Sequence, residues 1–148
     1  MSTDTDLVNL YSGRILALAA EIPHLGRLSA PEVSVKKRSP LCGSTITVDL
    51  VIRGGQIVEF AQDVKACALG QASASVLGQV VIGRTRAEID HARTELRAML
   101  KHDGPVPSAP FDGFEVLLPA REFKNRHASI MLALDATAEA CAEAEAAA

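Results

Sequence analysis

The fold of this 148-residue chain is decided by residues 44–65, which read STITVDLVIRGGQIVEFAQDVK. Apolar side chains alternate with other side chains along residues 44–53, which is the pattern of a half-buried β-strand. Gly54-Gly55 follows and is typical of a two-residue hairpin turn. The next strand carries Val58, Phe60 and Val64. The stretch therefore predicts an antiparallel hairpin with Ile46, Val48, Leu50 and Ile52 on one face, and Thr45, Thr47, Asp49, Val51 and Arg53 on the other.

The residues before this hairpin predict one more strand and a helix. Residues 32–38 alternate briefly at Val33 and Val35, which indicates a third strand. Residues 5–20 have apolar side chains at helical spacing, and Pro23 and Gly26 end that pattern. We expect the helix to bury one face, formed by Leu7, Leu10, Tyr11, Ile15, Leu16 and Ala19.

The second half of the chain is predicted to be helical. Residues 67–81 are rich in Ala, Leu and Val, and Gly83 ends that helix. Thr85 and Glu88 have the spacing of a capping box, which starts a helix that runs to about Lys101. Its buried stripe is predicted to contain Ile89, Leu96, Met99 and Leu100.

The remaining segments are less regular. Residues 102–113 are rich in Gly and Pro and predict a mobile loop, and the short apolar run 114–118 is of undecided type. A last helix is expected to begin near His127. Its tail, residues 137–148, favours a helix by propensity but is expected to bury little and to fray. Helices on one face of an antiparallel sheet of about three strands make a single α+β domain over residues 1–148.

Composition and charge exclude several classes of function. Apolar residues make up 48% and charged residues 22%, as in ordinary soluble domains. The net charge of −3 leaves no basic excess for a phosphate backbone, so we expect no nucleic-acid partner. No run of 18 apolar residues predicts a membrane span, and the start MSTDTDLV lacks the features of a signal peptide. We therefore expect a cytoplasmic protein whose three cysteines are thiols or metal ligands.

Three residues are candidates for chemistry. Cys42 lies between Pro40 and Gly43 on a predicted loop, although a small buried apolar residue would also fit there. Cys67 is expected at a helix N-terminus, whose partial positive charge favours a thiolate. His127 opens the last helix, and a neutral imidazole is a good ligand for zinc or iron, although most histidines at helix starts have no special role.

The other histidines and Cys141 have weaker contexts, and common catalytic motifs are absent from the sequence. It contains no CxxC pair, no HExxH, no glycine-rich phosphate loop after a strand and no GxSxG elbow. His91 is expected on an exposed helix face, and Cys141 lies in the predicted fraying tail. The spacing of the three candidates is not diagnostic by itself.

Several segments together resemble the SufU/IscU/NifU family of iron–sulfur cluster assembly scaffolds. The resemblance runs from about Leu7 to Ala136. It is strongest in VKACALGQASASVLGQVVIGRT at residues 64–85, and is also present in LYSGRILALAA, SPLCGSTITVDL and RHASIMLALDA. It implies the α+β scaffold fold, no enzymatic activity, and a site that holds a transient [2Fe–2S] cluster or a zinc ion.

The resemblance also implies which residues form that site. The family's first two cysteines correspond to Cys42 and Cys67, and the His before its third cysteine corresponds to His127. The family's acidic residue is Ser44 here, and its third cysteine is Ala128. The predicted ligands are therefore Cys42, Cys67 and His127, and an external thiol or water would complete the site. The segment 102–119 resembles the insertion of the SufU branch, which makes Cys42 the candidate sulfur acceptor.

These observations leave several functions open. The first is a scaffold or sulfur acceptor that works with a cysteine desulfurase and with downstream Fe–S acceptor proteins. The second is a zinc-binding or degenerate regulatory relative that docks on a desulfurase without building clusters. A Cys67–His127 nucleophilic dyad and a domain that only binds protein are further alternatives.

Overall fold

The computed structural model describes residues 11–41 and 43–147. In chain order, it contains α1 (Gly13–Ala20), β1 (Val33–Arg38), β2 (Thr45–Arg53), β3 (Gln56–Lys65), α2 (Ala68–Val80) and α3 (Arg86–Lys101). Two 3-10 helices follow at Phe111–Glu122 and Lys124–Arg126, and then α4 (His127–Ala147). Among these helices, none is long and apolar enough to cross a membrane.

The hairpin predicted from residues 44–65 is confirmed. Strands β2 and β3 pair antiparallel along their whole length, and Arg53 and Gln56 are the last pair before the turn. Strand β1 pairs antiparallel with the other edge of β2. Gly54 and Gly55 have φ values of 60° and 78°, which lie in the left-handed region that residues with a side chain adopt only at an energetic cost. The three-stranded antiparallel sheet therefore has the order β1-β2-β3.

The core lies between one face of the sheet and the helices. Ile46, Val48 and Leu50 are buried on this face, where α4 packs across β1 and β2. Helix α2 packs against α4 and against α1. The predicted α+β arrangement is therefore confirmed.

The opposite face of the sheet is more covered than the alternation of β2 predicts. Asp49 has no exposed surface, because residues 27–28 cross over it. Its carboxylate accepts hydrogen bonds from the Arg27 guanidinium, the Ser34 hydroxyl and the Leu28 amide, at 2.6–3.1 Å. Burial by itself would raise the pKa of Asp49, but these hydrogen bonds outweigh it and lower the pKa. Asp49 is thus a buried anchor for residues 27–28.

The predicted boundaries of α2 and α3 hold. Cys67 is the N-cap of α2, and Gly83, with φ of 88°, lies beyond its end. Thr85 and Glu88 form both hydrogen bonds of the capping box at the start of α3. The predicted buried stripe of α3 is buried, together with Ala92.

The first helix differs from its prediction. Residues 5–10 lie outside the described part of the chain, and α1 begins only at Gly13. Ile15 is buried, as expected, but Leu16 is 53% exposed and does not belong to the buried face. The reason is geometric, since Ile15 and Leu16 are separated by about 100° around a helix and a helix this short buries only a narrow stripe.

The region between α3 and α4 is held by specific hydrogen bonds. Residues 102–110 have no regular structure, but the Arg121 guanidinium donates to the carbonyls of Met99 and Gly104, and Ser108 donates to Glu95. The undecided run 114–118 lies in the 3-10 helix Phe111–Glu122 and buries Phe114. The mobility of residues 102–113 stays a prediction.

The expectation that the C-terminal tail buries little is wrong. Helix α4 continues to Ala147, and its second half packs into the core because small alanine side chains allow a close approach to α3 and the sheet. Fraying of the last turn stays a prediction. The buried residues of this tail are Thr137, Ala138, Ala140, Cys141 and Ala144.

Candidate functional site

Cys67 lies where β3 ends and α2 begins. As the N-cap of α2, it precedes the first turn of the helix, whose backbone amides have no partners within the helix. Its thiol is half-buried and makes no capping hydrogen bond. Because the residue is partly open to solvent at the junction of a strand and a helix, its sulfur is within reach of a ligand that binds at this end of the sheet.

Two serine hydroxyls lie on the inner side of this thiol. The Oγ of Ser129, in the first turn of α4, is 3.4 Å from the Cys67 Sγ. The same Oγ donates a hydrogen bond of 3.2 Å to the Oγ of Ser44, just before β2. Both serines are buried, at 0% and 4% exposure. The site around Cys67 is therefore built from three separate elements.

Ser129 is a site residue that the sequence does not single out, because serine is common near helix starts. The available signal is its position in the apolar run SIMLALDA. A polar side chain on the buried face of a helix needs a hydrogen-bond partner, and that requirement points to a neighbour such as Ser44.

Cys42 lies outside the described residues, so its relation to Cys67 stays a prediction. Its neighbours form the connection between β1 and β2, where the Ser39 amide donates to the Ser44 carbonyl at 2.8 Å and the Gly43 amide donates to the Ser39 carbonyl at 3.0 Å. Gly43 has φ of 71°, the left-handed conformation that favours glycine. Leu41 is 71% exposed.

This connection lies at the same end of the sheet as Cys67. In the strand register, Thr45 at the start of β2 is paired with Arg38 at the end of β1 and with Lys65 at the end of β3. Through Ser129, which contacts both Ser44 and Cys67, the start of β2 is connected to the start of α2 at this end of the sheet. A ligand bound by Cys67 would therefore be next to the β1–β2 connection.

His127 is the first residue of α4, as predicted, but its imidazole is buried elsewhere. It is 2% exposed, and its Nε2 lies 3.0 Å from the Ala120 carbonyl oxygen and 3.1 Å from that of Arg121. Because carbonyls only accept, the tautomer that fits carries its proton on Nε2. His127 also lines a cavity of about 250 Å³ with Leu100, Lys101 and Lys124.

The surroundings of His127 favour the neutral ring. Burial lowers the pKa of His127 and the ammonium groups of Lys101 and Lys124 lower it further, while the hydrogen bonds to the two carbonyls oppose the shift only in part. A neutral imidazole is the ligand form, but here its Nε2 is engaged with backbone carbonyls. The described contacts thus bring Cys67 together with Ser129 and Ser44, and not with His127.

The remaining candidates are not assembled into a second site. Within residues 11–41 and 43–147, no three His, Cys, Asp or Glu side chains form a group that could hold a metal. Cys141 is buried in α4, and burial raises the pKa of its thiol to about 11, so it is an unreactive core residue. His91 lies on an exposed face of α3, as expected, within 3.3 Å of Glu95.

Comparison with known proteins gives consistent similarities. Residues 10–111 match the family model described as the NifU-like N-terminal domain. The crystal structure of the N-terminal part of a nitrogen-fixing NifU-like protein from Brucella abortus is 42% identical, with a TM-score of 0.94. The match covers 97% of this chain and 99% of that one.

Two more distant solved structures share the fold. One is a putative iron–sulfur cluster assembly scaffold protein for the SUF system from Fervidobacterium islandicum AW-1, at 18% identity and a TM-score of 0.80, over 90% of this chain and 98% of that one. The other is a hypothetical protein at 23% identity and a TM-score of 0.81, over 91% and 98%. No curated protein matches this chain.

Proposed function

Because the chain belongs to the NifU-like N-terminal domain family, we propose that it is a scaffold on which a [2Fe–2S] cluster is assembled and from which the cluster is passed on. The observation that carries this proposal is the position of Cys67. Its thiol is half-buried at a helix N-terminus, at the sheet end that also holds the β1–β2 connection. The cluster is cargo, so its ligands must both bind it and release it.

The proposed ligands are Cys42, Cys67 and His127. Each cysteine would give up its thiol proton when its sulfur binds iron, and the positive end of the α2 dipole would stabilise the resulting charge at Cys67. His127 can join only through Nδ1, or after its Nε2 leaves the carbonyls of Ala120 and Arg121. An external thiol would supply a further ligand. A site with so few protein ligands would bind the cluster weakly, which suits a cluster that is held only briefly before it is passed on.

The proposed partners are a cysteine desulfurase and Fe–S acceptor proteins, in a cytoplasmic setting. Cys42 is the proposed sulfur acceptor. Its thiolate would form a bond to the outer sulfur of a persulfide on the desulfurase, and the thiolate of the desulfurase would leave. The exposed Leu41 beside Cys42 is consistent with access by a partner protein.

The contacts of His127 do not favour an enzyme that uses a Cys67–His127 dyad. A general base must come within hydrogen-bond reach of the thiol. The described polar partner of Cys67 is Ser129, whereas the Nε2 of His127 bonds to backbone carbonyls. A scaffold without catalytic chemistry of its own is therefore the proposal that fits the site.

The test is to measure iron, zinc and acid-labile sulfide in protein purified without oxygen, and again after reconstitution with iron and sulfide. We expect iron and sulfide in the wild type and neither of these in a Cys42→Ala, Cys67→Ala double variant. The matched control is Cys141→Ala, which removes a buried thiol that the proposal does not use, and which should keep both. Zinc without sulfide would support the regulatory or sulfur-transfer alternative instead. Wild-type protein that takes up neither metal would overturn the scaffold.

A further inference from the structure

The sheet face that points away from the helices carries positive charge at the end where Cys67 lies. Successive residues of a strand point to opposite faces, so Lys36 and Arg38 lie on the same face as Ser34, whose hydroxyl donates to Asp49. The helices pack on the other face. Because both cations are exposed, this end of the open face presents their charges to solvent.

Lys65 at the end of β3 belongs to the same group of charges. In the strand register, Thr45 of β2 is paired with Arg38 on one side and with Lys65 on the other, so these three residues form one row across the sheet. Neighbouring strands are about 4.8 Å apart, which puts the Cα atoms of Arg38 and Lys65 roughly 10 Å apart. Lys36 lies in the next row. Three exposed cations are therefore gathered on a small area of the sheet.

Arg27 adds a fourth positive charge beside these rows. Its guanidinium is bonded to the Asp49 carboxylate, yet 53% of its side chain is exposed. None of the ion pairs in the described part of the chain involves Lys36, Arg38 or Lys65, so their charges are not used within the fold. Together, the four cations form the basic face: Arg27, Lys36, Arg38 and Lys65.

Two carboxylates share this area with the four cations. Asp49 is buried and bonded to Arg27, and Asp63 lies in the row of Lys36. With both carboxylates counted, the basic face has a net charge of +2, whereas the whole chain has a net charge of −3. The next carboxylate along β3, Glu59, lies two rows farther from the site. Positive charge is thus concentrated on this face of an otherwise acidic molecule.

Two exposed leucines lie at the borders of the basic face. Leu41 follows β1, in the connection to β2, and is 71% exposed. Leu25 forms a bridge with Gln62 at the outer edge of β3 and is 61% exposed. Protein interfaces combine apolar contact area with charged groups at the rim. The two leucines would therefore add contact area to a protein that docks on the basic face.

We propose that the basic face is the docking surface for an acidic surface of a partner protein. The proposal rests on the scaffold function proposed above, because a partner that delivers sulfur or takes the cluster must approach the end of the sheet that holds Cys67. Opposite charges steer such an encounter and speed association. A nucleic acid or an anionic membrane fits less well, since an extended polyanion would also meet the acidic remainder of the chain.

The first experiment uses metal-free, full-length protein, so its result does not depend on cluster assembly. Binding of a fluorescently labelled oligoglutamate peptide is measured by anisotropy between about 0.01 M and 0.15 M salt. We expect the wild type to bind, and to bind more weakly as salt screens the charges. The charge reversal Lys36→Glu, Arg38→Glu should weaken binding about ten-fold.

The matched control is Arg14→Glu, Arg53→Glu, which changes the net charge by the same amount. Arg14 on α1 and Arg53 at the far end of β2 are exposed and form no described ion pair. At about 0.1 M salt, charges this far away are screened, so binding should stay within about two-fold of the wild type. Equal weakening in the two double variants, or no binding by the wild type, would overturn the proposal. If the reversal does not fold, the neutral pair Lys36→Gln, Arg38→Gln decides, and unchanged binding there would overturn it.

The other polyanions are tested in the same way, with vesicles of phosphatidylcholine and phosphatidylserine and with a DNA duplex. We expect both to bind the wild type more weakly than the peptide does. Tighter binding of either one that is lost in Lys36→Glu, Arg38→Glu would assign the basic face to a lipid surface or to nucleic acid, and would overturn the protein partner.

The second readout is transfer of the cluster from reconstituted protein to an apo-ferredoxin with an acidic surface. The reversal removes no proposed ligand, so it should take up the cluster normally but transfer it about ten-fold more slowly. Peptide binding that depends on the basic face, together with no cluster in any variant, would keep the docking surface and reject the scaffold. Normal cluster with wild-type peptide binding and transfer in the reversal would keep the scaffold and reject the docking surface.

Discussion

Cys67 and His127 stand at the starts of two neighbouring helices, yet their surroundings are opposite. Cys67 precedes α2, is half-buried, and has a serine hydroxyl as its described polar partner. His127 begins α4, is 2% exposed, and is bonded to two backbone carbonyls. Their backbones also differ, because Cys67 is an extended N-cap with ψ of 168°, whereas His127 is helical with ψ of −41° and follows directly on a 3-10 helix. The packing around each decides whether its side chain is available for chemistry.

The largest expected effect comes from changing Cys67. Cys67→Ser should abolish iron and sulfide binding, since a neutral hydroxyl replaces a thiolate ligand. The fold should be kept, because serine is a favourable N-cap and the native thiol makes no capping hydrogen bond. Iron and sulfide analysis with a thermal melt checks both statements. Retained stoichiometric cluster would mean that Cys67 is not a ligand.

The next largest effect concerns His127, where a loss of stability can be measured separately from a loss of cluster binding. His127→Ala should lower the free energy of unfolding by about 2–3 kcal/mol, since it leaves a cavity and removes the donor to two carbonyls. Urea denaturation measures this change, and His91→Ala is the matched control because His91 is exposed on α3 and should change stability little.

The same variant sharpens the comparison when its cluster content is measured. If the imidazole keeps its bonds to the two carbonyls and does not bind the cluster, His127→Ala protein that is folded should keep more iron than Cys67→Ser does. Equal loss of iron in the two variants would show that the imidazole leaves its carbonyls and serves as a full ligand.

The smallest expected effect is a pH dependence of stability. The pKa of His127 is lowered by burial, so the folded state holds the ring neutral where the unfolded state, with a pKa of about 6.5, takes up a proton. Stability should therefore fall as pH decreases below about 6.5, and level off below the folded pKa. Urea midpoints between pH 8 and pH 5 measure this slope, and His127→Ala should reduce it. An unchanged slope would assign the dependence to other groups.

Most of the fold follows from local patterns. Alternation and the Gly54-Gly55 pair were sufficient to predict the hairpin, and the Thr85–Glu88 pair marked the start of α3. These features depend on residues that are close in sequence. The errors concern burial: Leu16 is exposed, and Asp49 and the tail of α4 are covered by segments distant in the chain.

The candidate site was only partly predictable. The sequence pointed to Cys67 and to the helix that begins at His127, and both positions are as expected. The direction of the imidazole and the contact of Ser129 with Cys67 were not predictable, since each depends on how α4 packs against its neighbours. The ligand role of Cys42 stays a prediction.

By itself, the sequence determined the hairpin, the caps and the residue types at the helix starts, because backbone conformation and amphipathic spacing are local properties. Only the tertiary structure decided that the Ser129 hydroxyl lies beside Cys67, and that the His127 ring lies against the carbonyls of Ala120 and Arg121. The physical reason is that burial and hydrogen-bond pairing belong to pairs of elements, and no single segment contains both partners.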